Sequence, residues 1–91
     1  MDTVKNKTVV TIAGREYTIV GQQSEDHIRR VAILVDRKIT ELMHAGRMPQ
    51  PMATVLTAVN LADELIHVQD ENTRLRKELL RLRTEATLQE E

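Results

Sequence analysis

The chain has 91 residues, 41% of them hydrophobic, with one Tyr, no Phe and no Trp, so it has little bulk for an interior and a monomer of this size is marginal. It has no Cys, which excludes a disulfide framework and a thiolate site and leaves oligomerisation as the route to stability. A formal charge of −1 gives no net basic field to gather nucleic acid or an anionic membrane, and no secretory signal or membrane-spanning apolar run is present, so a soluble cytosolic protein is expected.

Residues 1–7 are polar and without periodicity, which predicts a flexible start. Two β-branched runs follow, Thr8 to Ile12 and Glu16 to Val20, flanking Ala13-Gly14-Arg15; this is a hairpin signature. A type II′ turn at Gly14-Arg15 pairs Ile12 with Tyr17 and Val10 with Ile19, whereas a turn at Ala13-Gly14 sets Ile12 against Arg15. The first register is expected, with Arg15 at the tip.

Gly21 ends the strand, and Ser24 followed by Glu25 and Asp26 reads as an N-cap with two acids at the positive end of a helix. That helix is predicted from Glu25 to Ala45, with Ile28, Val31, Ala32, Val35, Ile39, Leu42 and Met43 on one inward stripe. Gly46 is expected to close it in the left-handed conformation. Arg47 to Pro51 forms a loop, and Pro51 suits the first turn of a second helix.

The second helix has no stop signal from Met52 to nearly the end. Its first half has a wide apolar face that includes Val55, Leu56, Val59, Ala62 and Ile66, expected to pack on the first helix and the hairpin. Leu61, Leu65, Val68, Asn72, Leu75, Leu79, Leu82 and Ala86 then follow at alternating steps of four and three. A stripe recurring every 3.5 residues stays covered only when another helix winds around it. Leu61, Val68, Leu75 and Leu82 take d positions; Leu65, Asn72, Leu79 and Ala86 take a positions. Leucine at d with one asparagine at a favours a parallel homodimer. In that dimer Glu71 faces Arg76 and Glu78 faces Arg83 of the other strand. Leu80 and Leu88 lie off the seam, either as exposed leucines or as a second contact between dimers. The fold class is therefore α+β: a hairpin and helix head at 8–66, then a coiled-coil stalk at 67–91.

No catalytic, cofactor-binding or metal-ligating constellation is found. His27, His44 and His67 stand far apart, Gly14, Gly21 and Gly46 do not form a phosphate loop, and Asp63 and Glu64 are neighbours whose side chains diverge. An enzyme is not expected.

Three stretches together resemble one family: Val10-Thr11-Ile12 and Tyr17-Thr18-Ile19 around Gly14, Val35-Asp36, and the run from Leu56 to Leu65. They resemble the ZapA family of bacterial cell-division proteins over residues 8–66, the run Leu-x-Ala-x-Asn-Leu-Ala-x-Glu-Leu being the most specific part. Thr57 and Val59 depart from it, standing where the family more often has Ala and Leu. The resemblance implies a non-enzymatic, cytoplasmic, midcell partner of FtsZ that bundles or cross-links its filaments. It also implies pairing through heads and stalks, and an antiparallel dimer of dimers with heads at both ends. Among charged head residues it singles out Arg15 as a filament contact, against the alternative of a solubilising turn residue. It makes Asn60 important, favouring a capping or cross-helix bond at the head dimer over direct partner contact.

Two rival functions fit parts of the pattern. Helix, loop, helix and zipper is also the order of a dimeric DNA-binding regulator, but those proteins carry a basic stretch entering the first helix. Here that place holds Gln22-Gln23-Ser24-Glu25-Asp26, and Arg29 and Arg30 alone are too few for the phosphate contacts. The other rival is a generic coiled-coil adaptor.

Overall fold

In the computed structural model, which describes residues 5–89, β1 (Asn6–Ile12) and β2 (Arg15–Gly21) are followed by α1 (Glu25–Ala45) and α2 (Gln50–Gln89). This is the α+β order expected, with one two-stranded antiparallel sheet. Of the start expected to be flexible, Met1 to Val4 lie outside the described residues. β1 begins at Asn6, ahead of the expected Thr8. Asn6 pairs with Gly21 and its Nδ2 donates to the Gln23 carbonyl at 2.7 Å, fastening the strand where the chain leaves the sheet.

The turn differs from the expected one. Ile12 pairs with Arg15, Val10 with Tyr17 and Thr8 with Ile19, so Ala13-Gly14 is the turn and Arg15 is the first residue of β2. Ala13 has φ +53° and Gly14 φ +83°, the two positive values of a type I′ turn, whose twist matches that of the strands. The reason for the difference is geometric. Moving the turn by one residue moves each pairing by two, and a side-chain period of two leaves the same residues on the same face. Alternation therefore cannot choose between the registers. A non-glycine residue in the left-handed region costs roughly 1–2 kcal/mol. Opposing that cost, the Ala13 N–H donates to Asp36 Oδ1 at 2.7 Å, and a bond to a charged acceptor is worth about 1.5–3 kcal/mol.

β1 is the inward strand: Thr8 and Val10 are buried while Val9 between them is exposed, as the pleat requires. Val10 packs with Ile28 and Ala32 of α1, and Ile12 and Ile19 close over them. α1 starts at Ser24, whose Oγ accepts from the His27 N–H at 3.1 Å, with Glu25 and Asp26 in the first turn. Its inward residues are Ile28, Ala32 and Ile39. Val31, expected on that stripe, is 46% exposed, because it lies at the stripe's edge beyond the reach of a two-stranded sheet. Gly46 also differs from expectation: its φ of −87° is right-handed, and the positive φ falls on Arg47. What glycine supplies there is room, since a Cβ would stand 2.7 Å from the Leu42 carbonyl oxygen, the same oxygen that accepts the Gly46 N–H at 3.0 Å.

α2 opens with the Ala53 N–H donating to the Pro49 carbonyl at 3.0 Å, and Pro51 sits in the first turn as expected. The chain divides into two compact units between Ala58 and Val59. The first holds the hairpin, α1 and the opening of α2; the second is the remainder of α2. The face of α2 that is buried carries Ala53 and Thr57. Of the wide apolar face expected to be covered, Leu56 is half-buried, whereas Val55, Val59 and Ile66 are more than half exposed in the single chain. Val55 and Val59 each stand two residues from Thr57, about 200° around the helix, and so point the other way.

The turn yields a prediction. Asp36→Ala should destabilise the fold by about 1–3 kcal/mol, and Ala13→Gly should stabilise it by up to about 1 kcal/mol through relief of the positive φ. Urea midpoints of the two variants check both signs; a neutral Asp36→Ala would contradict the account.

Candidate assembly and partner-binding surfaces

The candidate assembly surface lies on α2, which contains no Gly and no Pro after Pro51 and is helical without interruption from Gln50 to Gln89. The ladder residues from Leu65 onward stand along one side of it. Leu65, Val68, Leu75, Leu79 and Leu82 are between 48% and 64% exposed, and Asn72 and Ala86 are exposed with them. Leu61, at the head of the ladder, is half-buried. For leucine and valine on a helix these are large exposures: covering one such side chain contributes about 1.5–3 kcal/mol. Five in register make a candidate contact surface, whereas scattered ones would need no explanation. Leu80 and Leu88 are exposed off this side.

The charges flanking the ladder have local partners. Arg74 donates from Nη2 to Glu71 Oε2 at 2.6 Å and from Nε to Oε1 at 3.1 Å. Arg81 bridges Glu78 at 2.5 Å and Glu85 at 2.6 Å. The acids assigned to the seam's flank are thus engaged one turn away along their own helix, while Arg76 and Arg83 make none of these bonds. The bond from Arg74 holds the Glu71 carboxyl below its ordinary range, and the bond from Arg81 does the same for Glu78; both guanidinium groups are raised in turn. These pairs are intact above the ordinary glutamate pKa and are lost only as the pH falls through the lowered values. Fully exposed pairs of this kind contribute little to stability, so exchange with an arginine of a second strand would change little.

Arg15 is exposed at the first position of β2, beside the turn, and Asn60 is exposed on α2 one residue before Leu61. The two stand on different elements. Two further apolar surfaces stand open, the second of them part of the face expected to be covered. One is an open groove of about 420 Å³ lined by Ile12, Tyr17, Ile19, Val35, Ile39 and Thr54. The other is the uncovered stripe Met52, Val55, Val59 and Ile66 on α2; its steps are visible in the sequence, but a single chain's pattern does not say whose interior a stripe belongs to. Among the described residues no group of His, Asp or Glu is gathered in a way that could hold a metal ion, and no helix is long and apolar enough to cross a membrane.

Comparison with known proteins adds an independent line. The family model described as cell division protein ZapA matches residues 8–91. The chain is 45% identical over 76 residues to cell division protein ZapA of Geobacillus kaustophilus, spanning 82% of this chain and 84% of that one. It is 37% identical over 79 residues to cell division protein ZapA of Bacillus subtilis, spanning 86% and 93%. Among solved structures, a ZapA mutant dimer from Geobacillus stearothermophilus is similar, with 42% identity and a TM-score of 0.71 over 86% of this chain and 92% of that one.

The ladder is testable directly. Leu75→Glu combined with Leu79→Glu should weaken self-association by on the order of a hundredfold or more, from the burial lost per leucine, while circular dichroism still reports the hairpin and helices. Analytical ultracentrifugation across concentration reads the mass; an unchanged mass would contradict the seam.

Proposed function

We infer a function from one premise: this chain belongs to the family of cell division protein ZapA. On that premise we propose that it acts in the cytoplasm at midcell as a non-enzymatic partner of FtsZ, binding its filaments and cross-linking or bundling them to stabilise the division ring. The observation that carries this reading is the uncovered ladder on α2, from Leu65 to Leu82. A protein that organises a polymer without chemistry needs two or more binding ends held at a distance, and a self-associating helix supplies them.

In the proposed assembly two chains wind in parallel along Leu61, Leu65, Val68, Asn72, Leu75, Leu79, Leu82 and Ala86, with the two Asn72 amides setting the register. Two such dimers meet antiparallel through their stalks, so that heads stand at both ends. The groove beside Ile12 and Ile19 and the stripe Met52, Val55 and Val59 support pairing of the heads as well: each chain offers both surfaces, so a two-fold axis closes both contacts at once. Asn60 lies beside that region, where a cross-helix hydrogen bond from its amide would fix the approach of the two heads. Joining binding ends in one body raises avidity without a new contact, provided the span lets both ends engage.

Arg15 is the proposed head contact with the filament. Its exposure, and its place next to a turn held in one conformation, support that role. Co-sedimentation with polymerised FtsZ tests the reading: the native protein should increase pelleting and light scattering at stoichiometric amounts. Arg15→Glu should keep its mass while weakening filament binding by on the order of tenfold, as expected for a lost charge contact. Unchanged pelleting by the native protein would overturn the function, and unchanged binding by Arg15→Glu would move the contact elsewhere.

A further inference from the structure

We propose that the outer face of α1 is a docking surface for an acidic amphipathic segment of another protein. The inward face of this helix carries Ile28, Ala32 and Ile39. At about 100° per residue Leu34 falls on the opposite side, yet it is a leucine and 42% exposed, with Val31 and Ile33 beside it exposed at 46% and 60%. Arg30 and Arg37 bracket Leu34, two turns and roughly 10 Å apart. His27 lies one turn before Arg30. Together these six side chains line an open groove of about 470 Å³ with no acidic residue in its wall.

The charge pattern is what selects the occupant. On the helices Arg29 has Glu25 at 3.6 Å, Arg74 has Glu71, and Arg81 has Glu78 and Glu85, whereas Arg76 and Arg83 have no acid three or four residues away. Arg30 and Arg37 have no ion pair or hydrogen bond among the described residues. Asp26, one turn before Arg30, and Glu41, one turn beyond Arg37, both lie outside the groove lining. Within the groove itself an apolar strip runs between the two guanidinium groups, and its lining is apolar and basic only. A helical segment with two apolar side chains for Val31 and Leu34, and two carboxylates about 10 Å apart for the arginines, satisfies both features at once. Arginine suits the task because its planar fork accepts a carboxylate in bidentate fashion. The surface shares no residue with the ladder or with Arg15, so the inference stands apart from the filament reading.

The test is fluorescence anisotropy of the full chain with a labelled helical peptide carrying two aspartates, two turns apart, around a pair of leucines. The control peptide has both aspartates replaced by lysine. Binding on the order of micromolar to the acidic peptide is expected, weakening as salt rises, with the lysine peptide not bound. Arg30→Glu with Arg37→Glu should lower affinity by at least about tenfold, and Leu34→Ala should lower it without changing the salt dependence. Circular dichroism confirms that each variant is folded. Equal binding of both peptides, undiminished binding by the arginine pair variant, or a fall in its sedimentation mass, which would mean that a second copy of this chain covers the face, would each overturn the proposal.

Discussion

The controlling constraint is the shortage of apolar bulk. With no Phe or Trp, the buried apolar set among the described residues is Val10, Ile28, Ala32, Ile39 and Ala53, side chains of modest size. Such an interior can hold a hairpin against one helix and little more. Everything apolar that does not fit, from Val31 and Leu34 on α1 to the stripe and ladder of α2, is therefore at the surface. In a small domain the surface fraction is high in any case, but here it is arranged in helical register. The same deficit that weakens a single chain thus writes the places where other chains can lie.

Much of the fold was legible because its signals are local. Ser24 with Glu25 and Asp26 announces a helix start through groups within one turn, and Pro51 fits a first turn for the same reason. The turn was not legible, because both registers leave Val10, Tyr17 and Ile19 on one face, and what separates them is Asp36, distant in sequence and facing Ala13 only after α1 has packed. Gly46 marks the end of α1 without supplying the positive φ: that falls on Arg47, and the glycine answers a close approach to the Leu42 carbonyl. The apolar opening of α2 failed differently. Val55 and Val59 form a true stripe, and periodicity identifies a stripe without identifying what covers it.

The surfaces show the same division. The 3.5-residue ladder was readable because no single straight helix needs that period, whereas the charges beside it were ambiguous. Glu71 and Glu78 have arginines both one turn along the helix and at cross-strand positions, and spacing alone satisfies either. The groove on α1 was not legible because Ile33 and Leu34 sit outside the inward stripe, and helical periodicity assigns no role to apolar residues off a stripe.

The bond between Ala13 and Asp36 reaches beyond the turn itself. A two-residue loop at the end of an isolated hairpin would sample many orientations, but this one is moored to the middle of α1 by the bond to Asp36, which limits how far the tip can swing. Whatever meets this end of the molecule finds a backbone already restrained by that bond. The freedom that a loose tip would forfeit at encounter has been surrendered during folding, and recognition there can rest on few contacts.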